Sequence, residues 1–348
     1  MNLRSSSVIF VFLIILVTRL PIAAQPKDLQ ALRNDFATNY LNPEVHFRLA
    51  KYYLDRNEPL QAFFILEYAR QMRFAEEDFD SAFVAFFGDP MPEPPIAAKD
   101  AFAAASKLVT EQKHKEAETY FLKADKLYNK SFFINAWIGR FYFKTINDSD
   151  KALPYYFTAY FLYPHAYETE YVESRIRSIA FASAEKRFGA SLTSGVALAT
   201  LLRDADPIVQ GLAIEEMGKQ WKAEYQSPIL AAMESDDSGN RWGAFVTLIK
   251  NMGSSKDAIV DQLLAEKDPR KRGLAAYAIV ERKGGERFKI LKQMLADPAE
   301  LVRFDAVSAL VIGGGNVGRQ MIEEHSRTEK QPRLKALITR ALKEDPNK

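Results

Sequence analysis

The sequence predicts an all-α protein, an α/α solenoid built from two runs of short helical hairpins in series. Three observations carry the prediction. Ala213, Ala244, Ala275 and Ala306 stand 31 residues apart, and their apolar neighbours keep the same interval. In the front half, small and bulky residues alternate at helical spacing, as in Ala152, Tyr156 and Ala159. In the back half, Asp-Pro pairs and one recurring glycine fall between the stripes, where helices start and turn.

The back half fixes its own register. Ile214, Phe245, Ala276 and Val307 follow the alanines by one residue, and Met217, Leu248, Ile279 and Leu310 follow them by four, which places all three positions on one helical stripe. A second stripe, Leu198, Ile229, Val260, Leu291 and Ile322 with Leu202, Met233, Leu264 and Leu295, marks the other helix of each unit. Asp206-Pro207, Asp268-Pro269 and Asp297-Pro298 read as an N-cap followed by proline at the first helical position. Gly253, Gly284 and Gly315 share the 31-residue interval and mark the turn inside each hairpin.

That register decides the stretch "VIGGGNVGR", Val311 to Arg319. Gly313, Gly315 and Gly318 satisfy a dinucleotide fingerprint, and Leu310-Val311-Ile312 resembles the strand that should precede one. Such a site needs a strand, a helix and a returning strand, and too little chain follows Arg319 to supply them. Gly315 is read as the third copy of a turn glycine.

With "DPAELVRFDAVSALVIGGG" and "DPRKRGLAAYAIVERKGG" as the best examples, the units resemble HEAT repeats of the short type seen in phycobilisome lyases. The resemblance covers about residues 190 to 345 and implies a stack of hairpins. Lyase activity would imply cytoplasmic chromophore attachment, whereas this chain reads as exported, so the activity is not carried over. The ladder Gln210, Arg241, Arg272 and Arg303 has two readings, an anion-binding stripe or pairing with the opening aspartates Asp206, Asp237, Asp268 and Asp297, and the second is the structural expectation.

In the front half, Gly139, Tyr142, Ala152, Tyr156, Ala159 and Pro164 form one unit, with an extra residue in its turn. Leu49, Ala50, Tyr53, Ala62, Leu66 and Ala69 form another, and Ala105, Leu108, Ala117, Phe121 and Ala124 a third. These residues resemble tetratricopeptide repeats, whose small residues let helices approach while large ones fill the gaps. Ala62 to Ala117 is longer than Ala117 to Ala152, and the excess, about residues 75–97, carries the amphipathic "EEDFDSAFVAFF" and the stiff, proline-rich "GDPMPEPP". The expected organisation is a signal peptide at 1–24, a tetratricopeptide-like domain at 25–170, a connecting helix and loop at 171–194, with "GASLTSG" as the loop, and a HEAT-like domain at 195–348.

The first residues, with Arg4, an apolar run from Val8 to Val17 and Ala23-Ala24, have the physics of a secretory signal cleaved after Ala24. Ten apolar residues fall short of the roughly 20 that a membrane anchor needs. Cleavage removes two arginines and no acids, leaving 45 basic against 45 acidic residues from the 47 and 45 of the full chain. A neutral chain has no global field for nucleic acid, and "DPRKRG" is read as a solvated helix start. With no cysteine, an exported protein depends on its core for stability, which suits a periplasm or secretion without disulfides. No stable membrane insertion is expected after cleavage.

Chemistry is sparse. His46, His114, His165 and His325 lack companions at metal-ligand spacing, and Ser183 to Lys186 match S-x-x-K without its partner motifs. No catalytic residue, metal or cofactor is nominated. Stacked hairpins instead create grooves whose lining is free to vary. The groove candidates are Phe47, Lys51, Phe102, Ser106, Arg140, Phe143 and Lys144, with Asp55 beside them. The familiar lysine-asparagine clamp for a C-terminal carboxylate is broken by Phe47 and Lys51, so an apolar groove with scattered cations is expected. The leading reading is an exported, non-enzymatic scaffold or adaptor that binds a protein or peptide in the cell envelope. An envelope enzyme or accessory subunit, and a spacer without a groove ligand, are the alternatives.

Overall fold

A computed structural model describes residues 29–71, 76–87, 93–162 and 169–343. The signal peptide, residues 88–92 of the proline-rich insertion, Pro164 and His165 lie outside the described residues. The described residues form nineteen α-helices and no strand, the all-α architecture expected, with helices packed mainly on their neighbours in sequence. They divide into two compact units, described in turn.

Of the described residues, the first unit holds 50–67 and those from 76 to 190. It takes in the C-terminal part of α2 (Pro43–Asp55), most of α3 (Pro59–Gln71), α4 (Glu76–Phe87), α5 (Ile96–Thr110), α6 (His114–Leu127), α7 (Phe132–Arg140), α8 (Ser149–Leu162) and most of α9 (Thr169–Thr193). α5 pairs with α6 and α7 with α8. The small residues explain how closely: a Cβ at Gly139 would meet the Tyr156 ring at 2.9 Å, and Ala105, Ala117, Ala124, Ala152 and Ala159 are fully buried.

Three turns of this unit are built alike. Asn57, Gln112 and Asn147 adopt the left-handed conformation, at φ of 62°, 61° and 58°, and the next N–H returns to a carbonyl of the preceding helix. Glu58 bonds to Tyr53 and Lys113 to Leu108, five residues back, but Asp148 bonds to Tyr142, six back. The extra residue of the third unit is therefore located. It is absorbed by a π-helical segment, Phe141–Ile146, in continuation of α7, because widening the helix keeps both Gly139 and Ala152 against their partners.

The second unit holds residues 29–49, 68–71 and 191–343 of those described. Its helices are α1 (Leu29–Thr38), the start of α2, the end of α3, α10 (Leu198–Leu201), α11 (Pro207–Lys219), α12 (Gln226–Ala232), α13 (Ser238–Asn251), α14 (Lys256–Leu264), α15 (Pro269–Ile279), α16 (Glu286–Met294), α17 (Glu300–Gly313), α18 (Gly315–Thr328) and α19 (Pro332–Lys343). All twelve positions of the three-residue stripe are buried, as are Leu198, Ile229, Val260, Leu291 and Ile322. α11 packs on α13 and α15 on α17, so the alanines set the spacing of the first helices.

The polar ladder is a repeated backbone brace. Gln210, Arg241, Arg272 and Arg303 each donate to the carbonyl six residues upstream, on Asp204, Ser235, Glu266 and Asp297. Only Arg272 also takes the opening aspartate of the next hairpin, with two 3.1 Å bonds to Asp297. Arg303 takes Glu329 at 2.9 Å instead. Asp206, Asp237 and Asp268 cap their helices, whereas α17 is entered through Ala299, with Asp297 two residues early and bonded to the Ala299 N–H.

Several expectations are corrected. Residues 29–49 and 68–71, placed by sequence in the front domain, belong to the second unit, where Leu32, Phe36, Tyr40 and Leu41 are buried. Helical periodicity identifies an apolar face without saying which stack covers it. The "GASLTSG" loop is helical as far as Thr193. "DPRKRG" is not a solvated start: Arg270 and Lys271 are buried and pair with Asp236 and Glu234. The turn reading of the glycines, by contrast, agrees with the structure: Leu310-Val311-Ile312 is helix, and Gly253, Gly284 and Gly315 have φ of 51°, 86° and 56°.

Candidate functional site

The first unit gathers cations and aromatic rings on one face. The signal begins in α7, where Phe133, Trp137, Arg140 and, in the π segment, Lys144 are all exposed at intervals of four, three and four residues. Such spacing makes one stripe, apolar at its start and cationic at its end. Phe102 of α5 meets the Trp137 ring at 6.3 Å, edge to face. From α9, Tyr171 and Arg175 complete the cluster.

Tyr171 is its centre. The guanidinium carbons of Arg175 and Arg140 lie 5.0 and 5.8 Å from its ring centroid, and Lys144 Nζ lies 5.9 Å away. Arg140 also lies 5.1 Å from the Trp137 ring, and Arg175 5.3 Å from Phe143. None of these three cations forms an ion pair among the described residues. The buried Nε of Arg175 has no hydrogen-bond partner. Below them, the Tyr156 hydroxyl is 3.4 Å from that of Tyr171, and burial, then the neighbouring tyrosine, push it far above the usual phenol range.

Like charges converging on one ring repel, and an unpaired buried guanidinium nitrogen retains its desolvation cost. An anionic group entering between Arg140, Lys144 and Arg175 relieves both, while Trp137, Phe133 and Phe102 offer apolar surface alongside. The cluster has the chemistry to recognise an anion with an adjoining apolar group.

Sequence reasoning found Phe102, Arg140, Phe143 and Lys144, and the structure brings these together. Ser106 lies on α5 with its hydroxyl returned to the Phe102 carbonyl at 3.0 Å. Phe47 is corrected: it is completely buried and belongs to the core of the second unit. Lys51 is corrected as well, because its side chain is buried and its Nζ is bound to Asp55 at 2.7 Å. Trp137 shares the stripe of Arg140 in the sequence and lies outside the groove candidates. Tyr171 and Arg175 gave no signal, since their role arises from the approach of α9 to α7.

In the second unit two buried titratable groups serve the core. His46 donates to the Tyr40 carbonyl at 2.8 Å, and burial lowers its pKa to about 4. Asp305 accepts from the Tyr277 hydroxyl at 3.1 Å, and burial raises its pKa to about 7. Among the described residues no group of histidines and carboxylates could hold a metal ion, and no helix is long and apolar enough to cross a membrane. No protein-family model matches the chain, and neither a curated protein nor a solved structure does.

Proposed function

We propose that this protein is a non-enzymatic adaptor of the cell envelope, exported by its N-terminal signal, in which tetratricopeptide-like hairpins bind a protein or peptide and HEAT-like hairpins form a second repeat array. The partner segment carries an acidic group beside an apolar or aromatic side chain. One observation carries this reading: three cations with no ion pair converge on Tyr171 at the end of an exposed aromatic stripe. Side chains that only hold a stack together are buried or paired, whereas Arg140 and Lys144 are exposed and none of the three cations has an ion pair among the described residues.

The test combines crosslinking in the native envelope with a charge reversal. Arg140→Glu together with Lys144→Glu changes two exposed residues, so the melting temperature is expected to move by no more than a few degrees. A partner crosslinked to the wild type should be lost from the variant. Capture of the same partner at undiminished yield would place the binding surface elsewhere, and turnover of an envelope substrate by the purified protein would overturn the non-enzymatic reading.

A further inference from the structure

The second unit holds a segment of this chain in the manner of a bound peptide. Arg33 on α1 clamps Asp236, its Nε donating to Oδ1 and its Nη2 to Oδ2, both at 2.8 Å. Phe36 lies under the Arg241 guanidinium at 5.9 Å, and Tyr40 meets the Phe304 ring at 5.3 Å. Leu41 N–H donates to Glu300 at 3.3 Å, and Asn42 Oδ1 accepts from Arg333 at 3.4 Å. These contacts run from the loop ahead of α13 to α17 and α19, across successive hairpins, at separations of 203 to 291 residues in the chain.

The polar braces that join the hairpins do not involve the segment, although Leu32, Phe36, Tyr40 and Leu41 are buried against them. The four carbonyl braces, the Arg272–Asp297 and Arg303–Glu329 pairs and the buried alanines are all internal to residues 204–329. Without residues 29–42 the face would present Asp236, still bonded to Arg270, the carboxylate of Glu300 and the ring of Phe304, beside the cations of Arg241 and Arg333. Arg33 meets Asp236 and Tyr40 meets Phe304, a local complementarity of charge and of aromatic surface.

We propose that this face of the second unit is a recognition surface for segments in which a helix bears an arginine and, three positions later, an aromatic residue, and the turn after it brings a second aromatic seven positions after the arginine, with residues 29–42 as its resident, displaceable occupant. It is a second binding surface, independent of the Tyr171 cluster.

The test uses the full chain. Arg33→Ala, Phe36→Ala and Tyr40→Ala together vacate the face, and the probe is a fluorescent synthetic peptide of residues 29–42. The vacated variant should bind it at least about a hundredfold more tightly than the wild type, whose face is open only in a minor population. Adding Asp236→Ala should cost the variant at least about tenfold in affinity. Hydrogen exchange of α13, α15 and α17 is followed in parallel. If the vacated variant loses protection there and the peptide restores it, the proposal stands. Equal binding to wild type and variant, or loss of protection that the peptide does not restore, would overturn it and make residues 29–42 ordinary core.

Discussion

Asp305 of α17 sits directly over Gly273 of α15, so that a Cβ on the glycine would overlap the carboxylate. The missing side chain is what lets α15 and α17 approach while the carboxyl reaches the Tyr277 hydroxyl. Gly273→Ala is therefore expected to destabilise the second unit by about 3 kcal/mol, the upper range for overpacking, measured by urea unfolding. In an Asp305→Ala background the same change should cost under about 1 kcal/mol, because the overlap is gone. Equal costs in both backgrounds would refute the steric account.

Asp305 and His46 should oppose each other in pH dependence. The folded pKa of Asp305 is raised from 3.8 to about 7, so its contribution is full below about 3.8 and is lost as pH rises through 7. That of His46 is lowered from 6.5 to about 4, so its contribution is present above 6.5 and is lost as pH falls towards 4. Between pH 4 and 6.5 the two slopes cancel. Asp305→Asn should leave His46 unopposed, and stability relative to wild type should rise by roughly 3 kcal/mol across that interval. His46→Gln should show the reverse trend. Parallel profiles for wild type and both variants would mean that neither group titrates with folding.

The glycine run at Gly313 to Gly318 divides into two kinds of position. Gly315 has φ of 56° with open space where a Cβ would stand, so Gly315→Ala meets only backbone strain and should cost about 1 kcal/mol. A Cβ at Gly318 would meet the Leu310 carbonyl at 2.9 Å, and Gly318→Ala should cost more, about 2 kcal/mol. Neither NAD nor NADP should raise the melting temperature of wild type or variants. A saturable rise of several degrees would contradict the assignment as a turn.

The carbonyl braces predict a graded response along the ladder. Arg272 bonds to the Glu266 and Lys267 carbonyls and to Asp297, whereas Gln210 holds the Asp204 carbonyl and accepts from Asn240. Arg272→Ala removes the donor from two carbonyls and the cation from the Asp297 carboxylate, which keeps only the Ala299 N–H, and should cost about 2–3 kcal/mol, against about 1 kcal/mol for Gln210→Ala. Urea midpoints of the two variants check the order, and a larger cost at Gln210 would show that the ion pair to Asp297 contributes little.

Sequence by itself determined the all-α class, the 31-residue register, the buried stripes and the turn glycines. Each of these is a local matter: Ala275 and Gly284 act within one hairpin or against the next, and the 31-residue interval repeats that contact in the chain. It also counted the extra residue of the third front hairpin but placed it in the turn, whereas the structure absorbs it in the π segment before the turn, and the two have the same count. Tertiary structure alone decided what distant residues do. Phe36 and Tyr40 have a helical apolar spacing that either stack would satisfy, and only three-dimensional packing assigns them to α13 and α17. Phe47 and Arg140 look equally suited to line a groove, yet one is sealed in a core and the other stands over Tyr171 and Trp137. The difference is which helix lies opposite, and periodicity along a chain describes a helix's own faces, not the identity of the surface that meets them.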